Sequence, residues 1–345
     1  MTMDLRTANP MSVRDWDPKV EELNGITVFH SAEWARVLAE SYGFKPVYFI
    51  SEKGGRPDLL VPIMEVSSPL TGRRGVSLPF SDTCAAIVPE TEVDSVRSEI
   101  LGYGKKAGWS FVEFRDDRFF RGSSPASMKC LLHTLPLSPS IEERFDTFKH
   151  PTKNSVRKAM RQGVTISRGR SSEAMEIFYA LHCRTRRRHG LPPQPVLFFR
   201  KVHDHLISKG KGCVVEASYR GRVIASAVCL YFGKEAIVKY SAYDDEFQIV
   251  RPNNLLVWNI IVWSGLNGFE RLSFGRSELE HEGLLRFKRG WNLDETPLLY
   301  YRYDLGRDSL VAPSRPVINA ATKVLPHVPV PMLRALGRIS YRHFS

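Results

Sequence analysis

The sequence predicts a mixed α/β protein made of two domains in tandem. Its 345 residues are enough for two domains at roughly 150 residues each. Alternating strand and helix patterns fill residues 1–138, whereas residues 139–305 begin with successive helices and continue into an antiparallel meander. We therefore expect a first domain at 1–138, a second domain at 139–305, and a basic C-terminal tail at 306–345.

In the first domain, apolar periodicity and turn residues predict helices and strands that alternate along the chain. The predicted helices cover 31–41 and 92–106, and the predicted strands cover 47–51, 58–66, 110–114 and 131–137. Strands this close in sequence can form a hairpin, so we expect a mixed sheet.

The second domain is predicted to contain helices, then a meander, then helices and strands in alternation. The predicted helices cover 141–148, 152–162, 172–189, 196–208, 253–265 and 283–288. The predicted strands cover 213–219, 223–232, 236–243, 271–274 and 298–305, and the turns at Gly221 and Gly233 join the first three.

Composition limits the class of protein. Hydrophobic residues make up 43% of the chain and charged residues 25%, as in ordinary globular proteins. No run approaches the roughly 18 apolar residues of a spanning helix, and the N-terminus shows no secretory signal, so we expect a cytoplasmic location. The five cysteines are widely spaced, which predicts reduced, buried thiols and no metal site.

The net charge of +12 is concentrated in two segments. Residues 149–188 contain eleven Lys or Arg against two Glu, and residues 306–345 contain six against one Asp. A uniformly solvated surface would not cluster charge in this way, so we expect one or both segments to contact an anionic partner.

The segment 274–291, FGRSELEHEGLLRFKRGW, combines basic and aromatic residues directly after a strand. Functional groups are common on such loops. The short helix that follows has a predicted apolar face of three side chains, Leu284, Phe287 and Trp291. Lys288 leaves that face at an angle and can reach back toward the loop carrying Arg276. The segment predicts a site for an anionic substrate.

Two other segments can contact phosphate. The helix at 152–162 places Lys153, Arg157 and Arg161 on one face, with Val156, Ala159 and Met160 pointing elsewhere, and no Asp or Glu lies between residues 147 and 172. This face is either a solvated surface or a site for phosphate or carboxylate.

The second segment is Arg-Pro-Asn-Asn at 251–254. Here Arg251 can contact phosphate, Pro252 can begin a helix, and Asn253 or Asn254 can cap it.

Two tyrosines flank the last strand of the meander, Tyr240 and Tyr243. Their hydroxyls can relay protons or orient a carbonyl, although strand tyrosines also serve as packing residues. In the first domain, Pro-Phe-Ser-Asp at 79–82 can help to bind an acceptor, and an Asx-type turn is the simpler account of Asp82.

These motifs resemble the FemAB family, relatives of the GCN5-like acyltransferases that build peptidoglycan cross-bridges by transferring amino acids from aminoacyl-tRNA. The resemblance rests on the order of Arg-Lys-Ala at 157–159, Arg-x-Gly at 161–163, the basic run 184–189, Asn-Asn-Leu-Leu-x-Trp at 253–258 and Phe-Lys-x-x-Trp at 287–291. These matches cover residues 140–305, and His-Ser-x-Glu-Trp at 30–34 extends the similarity into the first domain.

The resemblance implies two tandem GCN5-related acyltransferase (GNAT)-like domains. It also implies transfer of an acyl or aminoacyl group to an amine of a cell-envelope precursor, of peptidoglycan or exopolysaccharide, by direct attack. No tightly bound cofactor and no metal is implied, and the donor substrate is acyl-CoA or aminoacyl-tRNA. The implied catalytic residues are Lys288, Arg276 and Tyr240; the donor or phosphate contacts are Arg157, Arg161, Arg251, Asn253 and Asn254; the acceptor contacts are Asp82, Tyr243 and Trp291.

Two other functions stay open at this point: an acyl-CoA-dependent GNAT N-acetyltransferase acting on a small molecule, and a non-catalytic RNA- or membrane-binding module. In acyl-CoA-dependent relatives a Gly-rich turn binds pyrophosphate at a helix N-terminus. Residues 248–254 contain no glycine at the corresponding place, which favours the FemAB-like function.

The tail has its own interpretations. It places three arginines on one stripe, Arg334, Arg338 and Arg342, and the apolar residues Met332, Leu336 and Ile339 on others. Peripheral contact with an anionic membrane at its inner face is one interpretation, and docking on the chain's own domain is the other.

Overall fold

The computed structural model describes residues 4–137, 140–312 and 324–343. The chain forms two compact units, one of Met1–Leu131, Pro297–Arg315 and Ile339–Ser345, and one of Leu132–Thr296 and Pro316–Arg338. The predicted boundary at residues 138 and 139, and part of the predicted tail, lie outside the described residues. The predicted domain ranges therefore stay predictions.

The first unit has a small sheet and part of a larger one. The small sheet has the order β1, β3, β4, and the larger one runs β2, β5, β6, β7 and then the C-terminal half of β14. The helices are α1 (Trp16–Glu21), α2 (Ala32–Tyr42) and α3 (Val93–Lys106), and the strands are β1 (Arg6–Ala8), β2 (Lys45–Pro46), β3 (Tyr48–Lys53), β4 (Arg56–Val61), β5 (Met64–Ser68), β6 (Gly72–Val76), β7 (Phe111–Phe114), β8 (Met128–Pro136) and β14 (Asp294–Asp304).

In the first unit the sequence prediction missed α1, β1, β2 and β6, and it gave one strand where the structure has β4 and β5. The single strand predicted at 58–66 is wrong, because the chain changes sheets between β4 and β5 at Pro62, which lacks the amide hydrogen that a continuous ladder needs. Strand β6 was missed because its sequence, GRRGV, has a single apolar residue. Gly75 is required there, since a Cβ atom at this position would lie 2.4 Å from the Trp109 ring.

The second unit is built on strands in the order β8, β13, β12, β11, β10, β9. The remaining strands are β9 (Thr165–Gly169), β10 (Gly212–Tyr219), β11 (Arg222–Phe232), β12 (Glu235–Tyr243) and β13 (Arg271–Glu278), and β15 (Ser309–Leu310) pairs with β14 in the first unit. The helices are α4 (Ile141–Thr147), α5 (His150–Arg161), α6 (Ser172–Arg188), α7 (Val196–Val202), α8 (Pro252–Leu266) and α9 (Glu282–Arg289). The predicted meander is confirmed as β10, β11 and β12, which pair antiparallel in sequence order. Strand β9, rich in polar residues, was missed.

Helices α5 and α8 cover one part of the meander through a shared core. Val156 and Ala159 of α5 lie in the same buried cluster as Leu256 and Ile260 of α8, together with alternate residues of the strands. Met160, predicted to lie away from the basic face of α5, has 51% of its surface exposed. The cluster fixes α5 so that its basic side chains face outward.

Strands β12 and β13 are parallel neighbours for only part of their length. Their pairing runs from Glu235 opposite Arg271 to Ile237 opposite Ser273, while the strands continue to Tyr243 and Glu278. On its other side β12 has a bulge at Lys239, where the register with β11 shifts by one residue. Bulges re-aim side chains and are common beside active sites. Open space between two strand ends is a frequent place for a ligand.

Helix α10 (Val330–Ser340) has one face docked on the second unit and one exposed face. Leu333 and Gly337 are buried, and the Arg334 guanidinium lies 5.1 Å from the centre of the Tyr179 ring. On the outer face Met332 and Ile339 remain 63% and 60% exposed. Within residues 4–137, 140–312 and 324–343, no helix is both long enough and apolar enough to cross a membrane.

Candidate active site

Lys288 on α9 is a buried lysine held by two backbone carbonyls. Its side chain is 5% exposed, and Nζ donates hydrogen bonds to the carbonyl oxygens of Gly275 at 3.0 Å and Arg276 at 3.2 Å. Gly275 has a φ of +66°, a conformation that favours glycine. The prediction that Lys288 reaches back toward the loop of Arg276 is confirmed by these contacts.

The inward face of α9 differs from the predicted one. Leu285 and Lys288, three residues apart, point inward, whereas Leu284 is 41% exposed and Phe287 is half-buried. The predicted apolar face is therefore wrong at Leu284, because the two carbonyls draw Lys288 inward and bring Leu285 with it. Trp291 follows the helix and is fully buried, with its ring 5.1 Å from that of Phe148. The indole therefore packs in the core of the second unit, and its predicted role at an acceptor stays a prediction.

A buried histidine stands beside Lys288. His133 of β8 is fully buried, and its Nδ1 atom lies 3.6 Å from Oε1 of Glu295. Burial, with a smaller effect of the positive charge of Lys288, lowers the pKa of His133 to about 4, and Glu295 opposes the shift. Sequence reasoning missed His133; the only signal was a polar residue within the apolar run LLHTLPL at 131–137.

Tyr240 lies on β12 directly after the bulge, on the part of the strand beyond its pairing with β13. Its hydroxyl accepts a hydrogen bond from the buried Gln194 side chain at 3.3 Å, and its ring lies 5.3 Å from the ring of Phe199. Further ring contacts with Phe178, His182 and Phe198 hold the side chain in place. Tyr240 and Lys288 both belong to the second unit.

Tyr243 has a different environment from Tyr240. Its hydroxyl accepts a hydrogen bond from Gln248 at 3.1 Å, and the Arg188 guanidinium lies 4.3 Å from its ring centre. Arg188 also pairs with Asp245 at 3.1 Å. These contacts account for Tyr243 as a residue that joins α6 to the turn after β12, and its predicted role at an acceptor stays a prediction.

At the start of α8, an exposed Arg251 with a positive φ precedes a buried Pro252. Arg251 has a φ of +57° and precedes Pro252, the first residue of α8. The prediction that Asn253 or Asn254 caps the helix is wrong, because Pro252 begins it and places both asparagines inside the first turn. The Oδ1 atom of Asn253 is buried and has no hydrogen-bond partner among the described residues.

The basic face of α5 is exposed, as the helix pattern predicted. Arg157 and Arg161 are exposed, and the Arg157 guanidinium lies 5.4 Å from the Phe145 ring centre. Lys153 lies 3.7 Å from the Asp146 carboxylate. The face can therefore meet an anion without rearrangement of the helix core.

In the first unit, the segment of Asp82 is tightly fastened. Leu78 and Phe80 have φ values of +46° and +63°, which are strained for residues with side chains. Arg115 donates to the Ser81 carbonyl at 2.9 Å, and the Tyr300 hydroxyl donates to the Asp82 carbonyl. Several side chains thus hold one loop in a strained shape, a feature that is frequent at functional sites.

Metal ligation has no support in the parts of the chain that the structure describes, which contain no group of three or more His, Cys, Asp or Glu suited to hold an ion. The prediction of buried cysteines is confirmed, because all five are buried. Cys213 and Cys229 face each other across β10 and β11.

Comparison with known proteins finds a family match that lies within the second unit. Residues 148–289 match the family model described as Acetyltransferase (GNAT) domain. Among curated proteins, the chain is 21% identical over 107 residues to a UDP-N-acetylmuramoylpentapeptide-lysine N(6)-alanyltransferase from Weissella viridescens. That match covers 31% of this chain and spans about a third, 32%, of the relative.

Solved structures extend the likeness to nearly the whole chain. A crystal structure of FemX has a TM-score of 0.69 at 12% identity and covers 86% of this chain and 97% of that one. A tandem GNAT protein from the clavulanic acid biosynthesis pathway has a TM-score of 0.51 at 8% identity and covers 88% and 99%. At these identities the likeness shows the fold, and it confirms the predicted tandem GNAT-like architecture.

The GNAT family match within residues 148–289, the Fem-type curated relative and the FemX-like fold together support the class of FemAB-like acyltransferases with a GNAT domain. The predicted resemblance and the prediction of an acyltransferase enzyme are both confirmed.

Proposed function

We propose that this protein transfers an aminoacyl or acyl group to an amine of a peptidoglycan precursor, and that Lys288 stabilises the reaction. The observation that carries the proposal is the buried Lys288 ammonium, held on the carbonyls of Gly275 and Arg276 at the diverging end of β13. The name of the Weissella viridescens relative, an alanyltransferase that acts on a precursor lysine, supports this choice of reaction.

The reaction proceeds by direct attack of the acceptor amine on the donor carbonyl. The new C–N bond forms a tetrahedral oxyanion, the bond from carbon to the leaving oxygen or sulfur then breaks, and a proton passes from nitrogen to the leaving atom. The positive charge of Lys288 stabilises the oxyanion, because a fixed cation in a dry site acts strongly on developing charge. The hydroxyl of Tyr240 relays the proton, and Arg276 binds a carboxylate or phosphate of a substrate.

Two molecules are candidates for the donor, aminoacyl-tRNA and acyl-CoA. The exposed arginines Arg157 and Arg161 on α5 and Arg251 before α8 provide phosphate contacts for either donor. The absence of glycine from residues 248–254 and the name of the alanyltransferase relative favour aminoacyl-tRNA. Calorimetry with CoA and acetyl-CoA at two salt concentrations separates them, because saturable binding that survives higher salt establishes a thioester donor.

The test of the proposed reaction measures transfer of radiolabelled alanine from alanyl-tRNA to a lysine-containing UDP-N-acetylmuramoyl pentapeptide. The change Lys288→Ala is expected to lower kcat by about 10²–10³, the effect of removing an oxyanion-stabilising group, and to leave substrate binding intact. The control is Lys234→Ala, since Lys234 has an exposed side chain paired with Glu270 on the surface. Equal loss of transfer and binding in Lys288→Ala would favour a binding module.

On the acceptor side, the proposal includes a contact between Asp82 in the first unit and the acceptor. A second candidate for the acceptor is a small-molecule amine that is acylated from acyl-CoA. The strained loop of Asp82 supports a preformed acceptor contact. Transfer to a panel of small amines with acetyl-CoA, in the absence of tRNA, would identify the second candidate.

A peripheral membrane contact through α10 completes the proposal. The apolar side chains of Met332, Leu336 and Ile339 are exposed along one stripe, and the chain from residue 309 to 345 contains no Asp or Glu. An apolar stripe on a basic segment suits the boundary between headgroups and acyl chains of an anionic bilayer.

A further inference from the structure

His133 is a buried titratable residue that the reaction described above does not use. It is fully buried on β8, and neither ring nitrogen has a hydrogen-bond partner among residues 4–137, 140–312 and 324–343. Buried polar groups nearly always have a hydrogen-bond partner, so an imidazole in which both nitrogens lack one requires an explanation. Strand β8 neighbours β13, and the Leu137 amide donates to the Glu270 carbonyl just before β13 begins.

Charged groups face the imidazole from two elements. Helix α9 contributes Lys288, whose ammonium is buried, and Arg289. Strand β14 contributes Glu295, whose carboxylate lies 3.6 Å from Nδ1 of His133. Arg289 holds Glu295 with two hydrogen bonds, from Nε at 2.8 Å and from a terminal nitrogen at 3.0 Å, and Lys149 also acts on Glu295. The carboxylate is therefore fixed in position 3.6 Å from Nδ1 of His133, and the positive charge of Lys288 also acts on the ring.

We propose that His133 is a positioning residue for Lys288: its neutral ring, oriented by Glu295, lies beside the buried ammonium and keeps it on the carbonyls of Gly275 and Arg276. With a proton on Nδ1 directed toward Glu295, the Nε2 lone pair is directed toward the positive charge. A cationic imidazole at this place would repel Lys288, which agrees with the low pKa of His133. The inference rests on the proposed role of Lys288 and adds the group that holds it.

The first experiment measures the position of Lys288 through its chemical reactivity, without any substrate. The full chain is reductively methylated with formaldehyde and dimethylamine–borane, and labelling of Lys288 is followed by peptide mass spectrometry against the exposed Lys234 as an internal reference. We expect Lys288 to react at least tenfold more slowly than Lys234 in the natural chain. In His133→Leu we expect the Lys288 rate to rise several-fold, because an apolar side chain fills the space but provides no lone pair.

Conservative variants separate positioning from simple space filling. In His133→Gln the side-chain oxygen reaches the place of Nε2, and in His133→Asn the amide reaches only the place of Nδ1. The proposal expects slow labelling of Lys288 to return in His133→Gln and not in His133→Asn. Equal labelling of Lys288 in all three variants and in the natural chain would overturn it.

A second measurement stays informative if the His133 variants do not fold. In chain labelled with ¹³C at histidine ring carbons, NMR follows the titration of His133 directly. Removal of the cation in Lys288→Met is expected to raise the pKa of His133, and removal of the anion in Glu295→Gln is expected to lower it. An unchanged titration in Lys288→Met would show that the ring does not face the ammonium and would overturn the inference. Neither measurement uses transfer activity, so their failure is distinct from failure of the proposed reaction, which Lys288→Ala tests.

Discussion

Gly337 of α10 lies directly against the backbone of Pro193. A Cβ atom at residue 337 would stand 1.9 Å from the Pro193 carbonyl oxygen. Such a contact requires glycine, because a backbone atom cannot move aside as a flexible side chain can. This close approach fixes which side of α10 packs against the second unit. The opposite side of the helix is therefore its outer face.

The first prediction concerns this contact. The change Gly337→Ala is expected to destabilise the docking of α10 by about 1–3 kcal/mol, the usual cost of adding a methyl group to a tight contact. Thermal unfolding should occur at a lower temperature, and limited proteolysis should cleave the tail faster. Gly102→Ala on α3 is the control, because a Cβ atom there meets no atom within 4 Å and alanine favours the helix. Equal effects of the two changes would contradict the prediction.

The second prediction concerns the outer face of α10. The triple change Met332→Ser, Leu336→Ser and Ile339→Ser is expected to abolish co-sedimentation with vesicles of phosphatidylglycerol and phosphatidylcholine, because it removes the exposed apolar stripe and keeps the docked face.

A control substitution and a change of vesicle composition complete this membrane test. The control is Leu70→Ser, which removes an apolar side chain that is 70% exposed elsewhere on the chain. Binding by the natural chain should fall when phosphatidylglycerol is omitted, since the tail has no acid after Asp308. Unchanged sedimentation of the triple variant would exclude α10 as the contact.

The sequence alone predicted the elements with strong apolar periodicity. It did not predict the strands that form only through pairing with their neighbours. The meander and α8 were predicted within one or two residues because their apolar runs are long and their turns contain glycine. Strands β6 and β9 were missed because their residues are mostly polar, so only pairing with neighbours makes them strands. Local pattern carries no information on such pairing.

The candidate site shows the same limit. Lys288 and Arg276 were predicted as site residues from a dense local motif, and the structure confirms that Lys288 contacts the loop of Arg276. His133 and Glu295 lie far from each other in sequence and meet only in the folded unit. Trp291 was assigned to an acceptor from its motif alone, whereas its burial places it in the core.

The third prediction is that the folded chain loses stability in mild acid through its buried histidines. Burial lowers the pKa of His182 to about 3, and that of His30 to about 4. The unfolded chain, with a histidine pKa near ~6.5, binds protons that the folded chain does not, so the free energy of unfolding falls as pH decreases from about 6.5 toward 4. Between pH 6.5 and pH 5 each such histidine contributes a loss of up to about 2 kcal/mol.

His182 allows this loss to be measured at one site. The ring lies 4.9 Å from that of Phe199 and 5.6 Å from that of Phe178, so His182→Phe keeps an aromatic ring and removes the titration. Urea unfolding at pH 7 and pH 5 should show a smaller decrease for this variant than for the natural chain. The exposed His150→Gln should retain the full decrease, and the prediction fails if the two variants behave alike.

The fourth prediction concerns the basic face of α5 and its use of phosphate. The changes Arg157→Gln and Arg161→Gln are expected to weaken binding of unfractionated tRNA, measured by fluorescence anisotropy between 50 and 200 mM salt. Removing one arginine–phosphate ion pair should reduce the slope of log K against log salt by about 0.7–0.9, since each such pair releases counterions when it forms. The control is Arg14→Gln, because Arg14 is equally cationic and its side chain is 95% exposed in the first unit.

A uniform decrease in affinity with a smaller slope in both α5 variants, and neither in the control, would assign α5 to the donor. If both variants keep the slope of the natural chain, the face is solvated, and the eleven cations in residues 149–188 then require another partner. The structure favours the first outcome, because Arg157 and Arg161 are exposed on a helix whose opposite side is fixed in the core by Val156 and Ala159. Because the helix backbone is already fixed, only the arginine side chains need to be ordered when a phosphate binds.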